Sequence, residues 1–208
     1  MSEWSSYTLA DLLMFSARTY WRLLELYNVA VWPLQLAAVA LGLAIAWCAR
    51  RAPRDAGRAA AVLLGLTWLW VAWAYHAQRY ATINMAAPWF AAAFALQAML
   101  LVGAGTLHLR PGRATGGAVG FVLLAYPLLA PVLGRPWTQA EVFGIAPDAT
   151  AALTLVLLAG APRAHALLWP VPLLWCAVSG ATLWTMHAPL AWLLPGLGLA
   201  ALLVRLRS

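Results

Sequence analysis

Only six acidic residues occur in the 208-residue chain. Two of them, Glu141 and Asp148, fall in one polar stretch, 134–150, that reads GRPWTQAEVFGIAPDAT. Arg135, Trp137 and Gln139 share that stretch. Carboxylates in apolar surroundings can hold a cation, accept a guanidinium fork or relay a proton. A second polar group closes an apolar run further upstream. Trp73, His76 and Tyr80 are spaced three and four apart, so they share one face of a continuing α-helix, with Tyr75 and Arg79 on the adjacent face. An imidazole beside a guanidinium there could bind an anion or shuttle a proton. The expectation is that both groups meet in one outward-facing polar pocket. Its ligand-binding set is His76, Arg79, Tyr80, Arg135, Trp137, Glu141 and Asp148. Arg79 or Arg135 would face the Asp148 carboxylate, and Trp73, Tyr80 and Trp137 would wall the pocket. Simpler roles exist for the same residues: Asp148 as a helix N-cap, and the Trp, Tyr and Arg residues as an interfacial belt.

These residues need elements to hold them, and composition sets what the elements are. The chain is 64% hydrophobic and 9% charged, with a mean hydropathy of +0.80. Soluble domains carry about 25% charge, so water is not the expected main solvent. Apolar runs near 18 residues recur, which points to membrane-spanning helices. No series of alternating segments supports a barrel. The predicted fold class is all-α: one integral membrane domain over 1–208, made of an interfacial amphipathic helix within 1–28 and a polytopic transmembrane bundle over 29–204. The expected spans are 29–49, 59–77, 85–107, 116–133, 149–161, 166–186 and 188–204, about seven, or six if the short fifth run does not cross. That fifth run covers about 20 Å against a ~30 Å hydrocarbon core. Either its helix starts earlier, near Glu141, or the segment VFGIAPD enters the bundle as irregular backbone, which survives at depth only inside protein or beside a water-filled cavity.

Orientation follows from arginine. All thirteen basic residues are Arg. Arg50, Arg51, Arg54, Arg58, Arg110, Arg113, Arg163, Arg205 and Arg207 fall on one set of alternate loops and the tail; Arg18, Arg22, Arg79 and Arg135 fall on the other, with five of the six acids. The positive-inside rule then puts the N-terminus outside and the C-terminus in the cytoplasm. The net charge of +7 is accounted for by these helix-end arginines, so nucleic acid is not an expected partner. The expected partner is the lipid bilayer, with a small solute or ion at the site; the sequence leaves an oligomer open. Glu3 and Asp11 oppose a cleaved signal peptide.

Several chemistries are excluded or left without a motif. No lysine exists to form a Schiff base with retinal or pyridoxal phosphate. Cys48 and Cys176 sit alone in apolar runs and read as small buried hydrophobes. His76 and His187 lie toward one face and His108 and His165 toward the other, a layout that two haems would need, but the flanking residues do not favour it. No ligand pair has the spacing of a strong metal site, no phosphate loop or nucleophile motif occurs, and no cofactor is identified. Trp70 and Trp175 fall near mid-span and are expected to turn their indole N–H groups inward. Gly116, Gly120, Ser179 and Gly180 read as close helix contacts.

The stretches FSARTYWRLLELYN, QRYATIN, GRPWTQAEVFGIAPD and LLWCAVSGATLW resemble an uncharacterised bacterial multi-span membrane protein family, a domain of unknown function. The resemblance implies a multi-span prokaryotic protein and brings no activity with it; the expected location is the bacterial inner membrane. The leading functional expectation is a small-solute or ion transporter, channel or binding protein. A membrane enzyme or redox cofactor carrier, and a structural assembly subunit, are the alternatives.

Overall fold

Ser16 opens the first helix, its hydroxyl accepting from Thr19 N at 3.2 Å in the manner of an N-cap. In the computed structural model, which describes residues 15–51, 53–109 and 113–207, this helix is α1 (Ala17–Ala30). Its buried face is Tyr20, Leu23, Leu24, Tyr27 and Asn28, the one-sided pattern of an amphipathic helix. Arg22 and Glu25 lie on the polar side and form an ion pair of 2.7 Å; one helical turn brings the two side chains together. The N-terminal half of the expected interfacial segment lies outside the described residues. α1 meets α2 (Leu34–Ala49) at 86°, so it lies across the end of the bundle rather than along it.

The remaining described elements are α3 (Arg54–Trp70), a π-helical turn (Val71–Ala77), a 3-10 turn (Tyr80–Thr82), α4 (Ala87–Ala104) and α5 (Arg113–Gly120). After a second π turn (Phe121–Ala125) and a 3-10 turn come α6 (Leu129–Val132), α7 (Pro147–Gly160), α8 (Pro170–Thr185) and α9 (Leu193–Leu206). Regular structure among the described residues is helical throughout, as expected. Helix α3 starts at Arg54, inside the stretch read as a loop, because Pro53 stands just before it and Asp55 favours its first turn.

Seven spans were expected; three continuous helices are long and apolar enough to cross a membrane, or four if α1 and α2 form one broken span. The shortfall lies in Ala87–Gly103, Pro147–Gly160 and Leu193–Leu206, which are apolar but shorter. The seventh run loses its start to turns at 186–192, where His187 and Leu190 take positive φ.

Helix α7 sits at the centre. Every residue from Pro147 to Leu158 is buried, and α3, α5, α8 and α9 pack around it. Trp68 on α3 donates its indole N–H to Thr154 Oγ1 at 2.8 Å, which satisfies a polar group deep in the core. Leu36, Leu43, Leu66, Met99, Leu124, Leu174 and Leu199 are all well exposed.

The two ends differ. At one, Leu109 N bonds Ala49 O at 2.8 Å and Leu107 N bonds Gly57 O at 3.0 Å, while Arg205 donates to Pro162 O and Ala164 O. Gly160 packs against Leu109, so the arginine-bearing segments 49–58, 162–164 and 205 gather at one end with 107–109. At the other end Asn28 donates to Thr138 O at 2.8 Å and Ala140 O at 2.9 Å, tying α1 to the 134–146 segment.

Candidate functional site

The local fold of 142–150 explains why a carboxylate ends up in the core. Gly144 takes φ +74°, a conformation open to glycine at little cost. Its N–H donates to Thr150 Oγ1 at 2.9 Å, and that hydroxyl donates to Ala146 O at 2.7 Å. The turn is thus closed by its own helix, and the backbone from Val142 to Ala146 runs buried into the bundle. The helix does not start near Glu141: residues 140–146 are irregular and 142–146 are buried in the bundle, and α7 begins at Pro147. Ala146 is the N-cap and Asp148 is the second residue of α7, so Asp148 does not cap the helix as first read. Its side chain turns sideways to α8 instead.

Asp148 is 0% exposed. Trp175 Nε1 donates to Oδ1 at 2.8 Å and Ser179 Oγ donates to Oδ2 at 2.5 Å. These two residues are four apart on α8, hence on one face. The ion pair expected with Arg79 or Arg135 is not formed: the sole ion pair among the described residues is Arg22–Glu25. Two neutral donors replace it.

Trp175 links the carboxylate to the histidine. Its ring lies 4.9 Å from that of His76. His76 is 0% exposed, packed against Phe94 at 4.4 Å, and neither ring nitrogen has a hydrogen-bond partner. A buried polar group left unpaired is uncommon and calls for a reason. Beside the pair lies a cavity of about 10 Å³ lined by Tyr20, Tyr75, Tyr80, Trp175, Ser179 and Thr182, close to the smallest space that admits one water. Tyr20 comes from α1, so the helix lying across the bundle closes the cavity at that end.

His76, Tyr80 and Asp148 are therefore brought together, with Glu141 nearby. Glu141 is half-buried. Desolvation of its carboxyl, and next the charge of Asp148, push its pKa up from 4.5 to about 8 against the opposing pull of Arg135.

The other expected members go elsewhere. Arg79 is exposed and lines a groove with Arg18 and Arg22. Arg135 lays its guanidinium over the Trp21 ring at 3.8 Å, a cation–π contact. Trp137 is 63% exposed and borders a separate groove with Asn28 and Trp32. Trp73 is 57% exposed and walls nothing at the site. The physical reason for the 73–80 rearrangement is the π-helical turn: Gln78 N bonds Trp73 O, five residues back. That wider turn breaks the 3.6-residue register and buries Tyr75 with His76. Such turns recur at functional sites.

The sequence reading named Trp175 as inward-facing but did not assign it, Ser179, Tyr20, Tyr75 or Thr182 to the site. A tryptophan four residues before a serine inside an apolar run was the available signal. Gly120 has open space beside its backbone and makes no close helix contact, whereas Gly180 packs on Pro195 as expected. No cluster of three or more His, Cys, Asp or Glu able to hold a metal occurs among the described residues.

Comparison with curated proteins finds no match, and comparison with solved structures finds none either. A family model does match, over residues 17–208. It covers α1, the 134–146 segment and every residue of the buried cluster, and the chain belongs to that family, the family of unknown function DUF6064.

Proposed function

We propose that the chain is an integral membrane protein that binds and passes a proton or small cation at the Asp148–Trp175–His76 cluster, as a small transporter, channel or binding protein. In this reading all seven apolar segments cross a bacterial inner membrane: α2, the helix 54–82, α4, the helix 114–132, α7, the helix 166–185 and α9. The arginine-rich end is cytoplasmic, the cluster lies toward the outside, and α1 rests on the outer interface. Support for α7 as a span despite its 14 residues comes from its enclosure by neighbouring helices, since a protein-surrounded segment need not match lipid thickness.

One observation carries the functional reading. A wholly buried carboxylate has no cationic partner among the described residues, and a wholly buried histidine beside it offers two unpartnered ring nitrogens. A carboxylate is acceptor-only, and a neutral imidazole keeps one acceptor nitrogen. The small cavity beside them is lined by the Asp148 donors Trp175 and Ser179 and by Tyr75 and Tyr80, which pack on His76, and acceptors buried around it call for a donor or a positive charge. An ionisable group at such depth is costly and is retained for function more often than for stability. The cavity's size limits the occupant to a proton on water or a small ion.

The test is flux. Purified protein in sealed vesicles should dissipate an imposed proton or monovalent-cation gradient faster than protein-free vesicles. Asp148→Asn should abolish that excess, and Asp55→Asn, at the exposed start of α3, should leave it intact. Equal flux in wild-type and protein-free vesicles would reject the reading.

A further inference from the structure

Four arginines lie at the α1 end of the molecule, and three of them share one groove. Arg18 and Arg22 project from α1, and Arg79 from the turn that follows the π-helical segment; the space between them is about 420 Å³. Thr19, Gln78 and Thr82 also border it, adding groups that can donate hydrogen bonds. Leu23, Leu26 and Ile83 form its apolar side. Arg22 is paired with Glu25 at 2.7 Å. Arg18 and Arg79 face no carboxylate within ion-pair distance among the described residues.

Three like charges converging on one groove repel one another, and a single acid offsets only one of them. The arrangement is favourable once an anion enters. Guanidinium forks match phosphate oxygens in pairs, and partly exposed charges lose less on desolvation than buried ones. The groove is also two-sided, cationic against apolar, and it lies between α1, which runs across the end of the bundle, and the segment 78–83. A free phosphate uses only the cationic side, whereas a phospholipid uses both.

We propose that the Arg18–Arg22–Arg79 groove binds the phosphate of an anionic phospholipid headgroup, with the first acyl carbons against Leu26 and Ile83. The proposal rests on the membrane reading above but not on the Asp148 cluster, so loss of one leaves the other standing.

The test uses full-length protein in a zwitterionic detergent and reads its thermal midpoint after adding short-chain phosphatidylglycerol, short-chain phosphatidylcholine or inorganic phosphate. Phosphatidylglycerol should raise the midpoint by several degrees more than phosphatidylcholine does. In Arg18→Gln/Arg79→Gln the excess should vanish while the midpoint in phosphatidylcholine stays at the wild-type value, and apparent affinity for phosphatidylglycerol should fall at least about tenfold. Arg58→Gln, at the far end of the molecule, should keep the full response. Equal responses to the two lipids, a response that survives in the double variant, or one lost in Arg58→Gln would overturn the proposal. So would stabilisation by inorganic phosphate equal to that by phosphatidylglycerol, which would assign the groove to a soluble anion. Recovery of the protein in the soluble rather than the membrane fraction would remove the membrane reading itself. Flux lost in Asp148→Asn with no lipid selectivity would remove only the groove.

Discussion

Asp148 holds its charge-bearing oxygens between an indole and a hydroxyl, and each of those donors is expected to matter more than an ordinary neutral hydrogen bond. Removing one leaves a buried carboxylate oxygen unpaired, at a cost of about 1.5–3 kcal/mol for a bond to a charged group. We predict that Ser179→Ala lowers the thermal midpoint clearly in the wild type but by much less in an Asp148→Asn background. The double-mutant cycle should show coupling of about 1 kcal/mol or more; simple additivity would mean that Ser179 does not stabilise the carboxylate. Glu141 supplies a pH test. Its folded pKa of about 8 lies above the ordinary 4.5, so the folded state binds more protons than the unfolded state between those values. Stability from this group is therefore fully present below about pH 4.5 and is lost as pH rises through 8. Glu141→Gln should flatten that decline; a midpoint–pH curve unchanged by the substitution would contradict the burial of this carboxyl.

At the scale of elements, two glycines decide how helices meet. Gly144 gives the entering backbone its positive φ, and an alanine there adopts that conformation at a cost of roughly 1–2 kcal/mol. Gly180 lets α8 approach α9: a Cβ there would lie 2.3 Å from Pro195 Cγ and 3.4 Å from Ala191 O. The proline ring cannot swing aside. We predict that Gly180→Ala destabilises by about 1–3 kcal/mol through overpacking. Gly196→Ala, where nothing lies within 4 Å, should be neutral or slightly stabilising because alanine is the better helix former. Matching midpoints for the two variants would refute the close α8–α9 contact. The π turn at 71–77 is the other deciding element, because it sends Tyr75 and His76 inward and Arg79 outward within a single turn.

For the whole molecule, the prediction is one of sidedness. Segments 49–58, 162–164 and the C-terminal arginines share one end, and Trp137–Gln139 lies at the other. Single cysteines introduced at Arg54 and Arg207 of a Cys48→Ser/Cys176→Ser protein should label together from one side of sealed vesicles. One at Trp137 should label from the opposite side. Labelling of residues 54 and 207 from opposite sides would remove one crossing and with it the seven-segment arrangement.

Amino-acid composition and long apolar runs without strict alternation were enough to determine that the chain is helical, because a run of that length can satisfy its backbone groups within itself only as a helix. Periodicity likewise determined the buried stripe of α1, and the rarity of acids pointed to Glu141 and Asp148. Tertiary structure alone decided which partners those acids meet. The sequence reading paired Asp148 with an arginine by charge, but the helices bring Trp175 and Ser179 to it, and contact between α7 and α8 depends on packing that no local pattern encodes. The reading also kept a 3.6-residue register through 73–80, where Arg79 and Trp73 belong with the site. A π turn changes that register by fitting one more residue into the turn, with Gln78 N bonding five residues back to Trp73 O. Arg18 and Arg22 are four apart on α1, but Arg79 is far from both in sequence and shares no motif with them. Their groove exists because α1 lies at 86° to α2 and against the turn that holds Arg79.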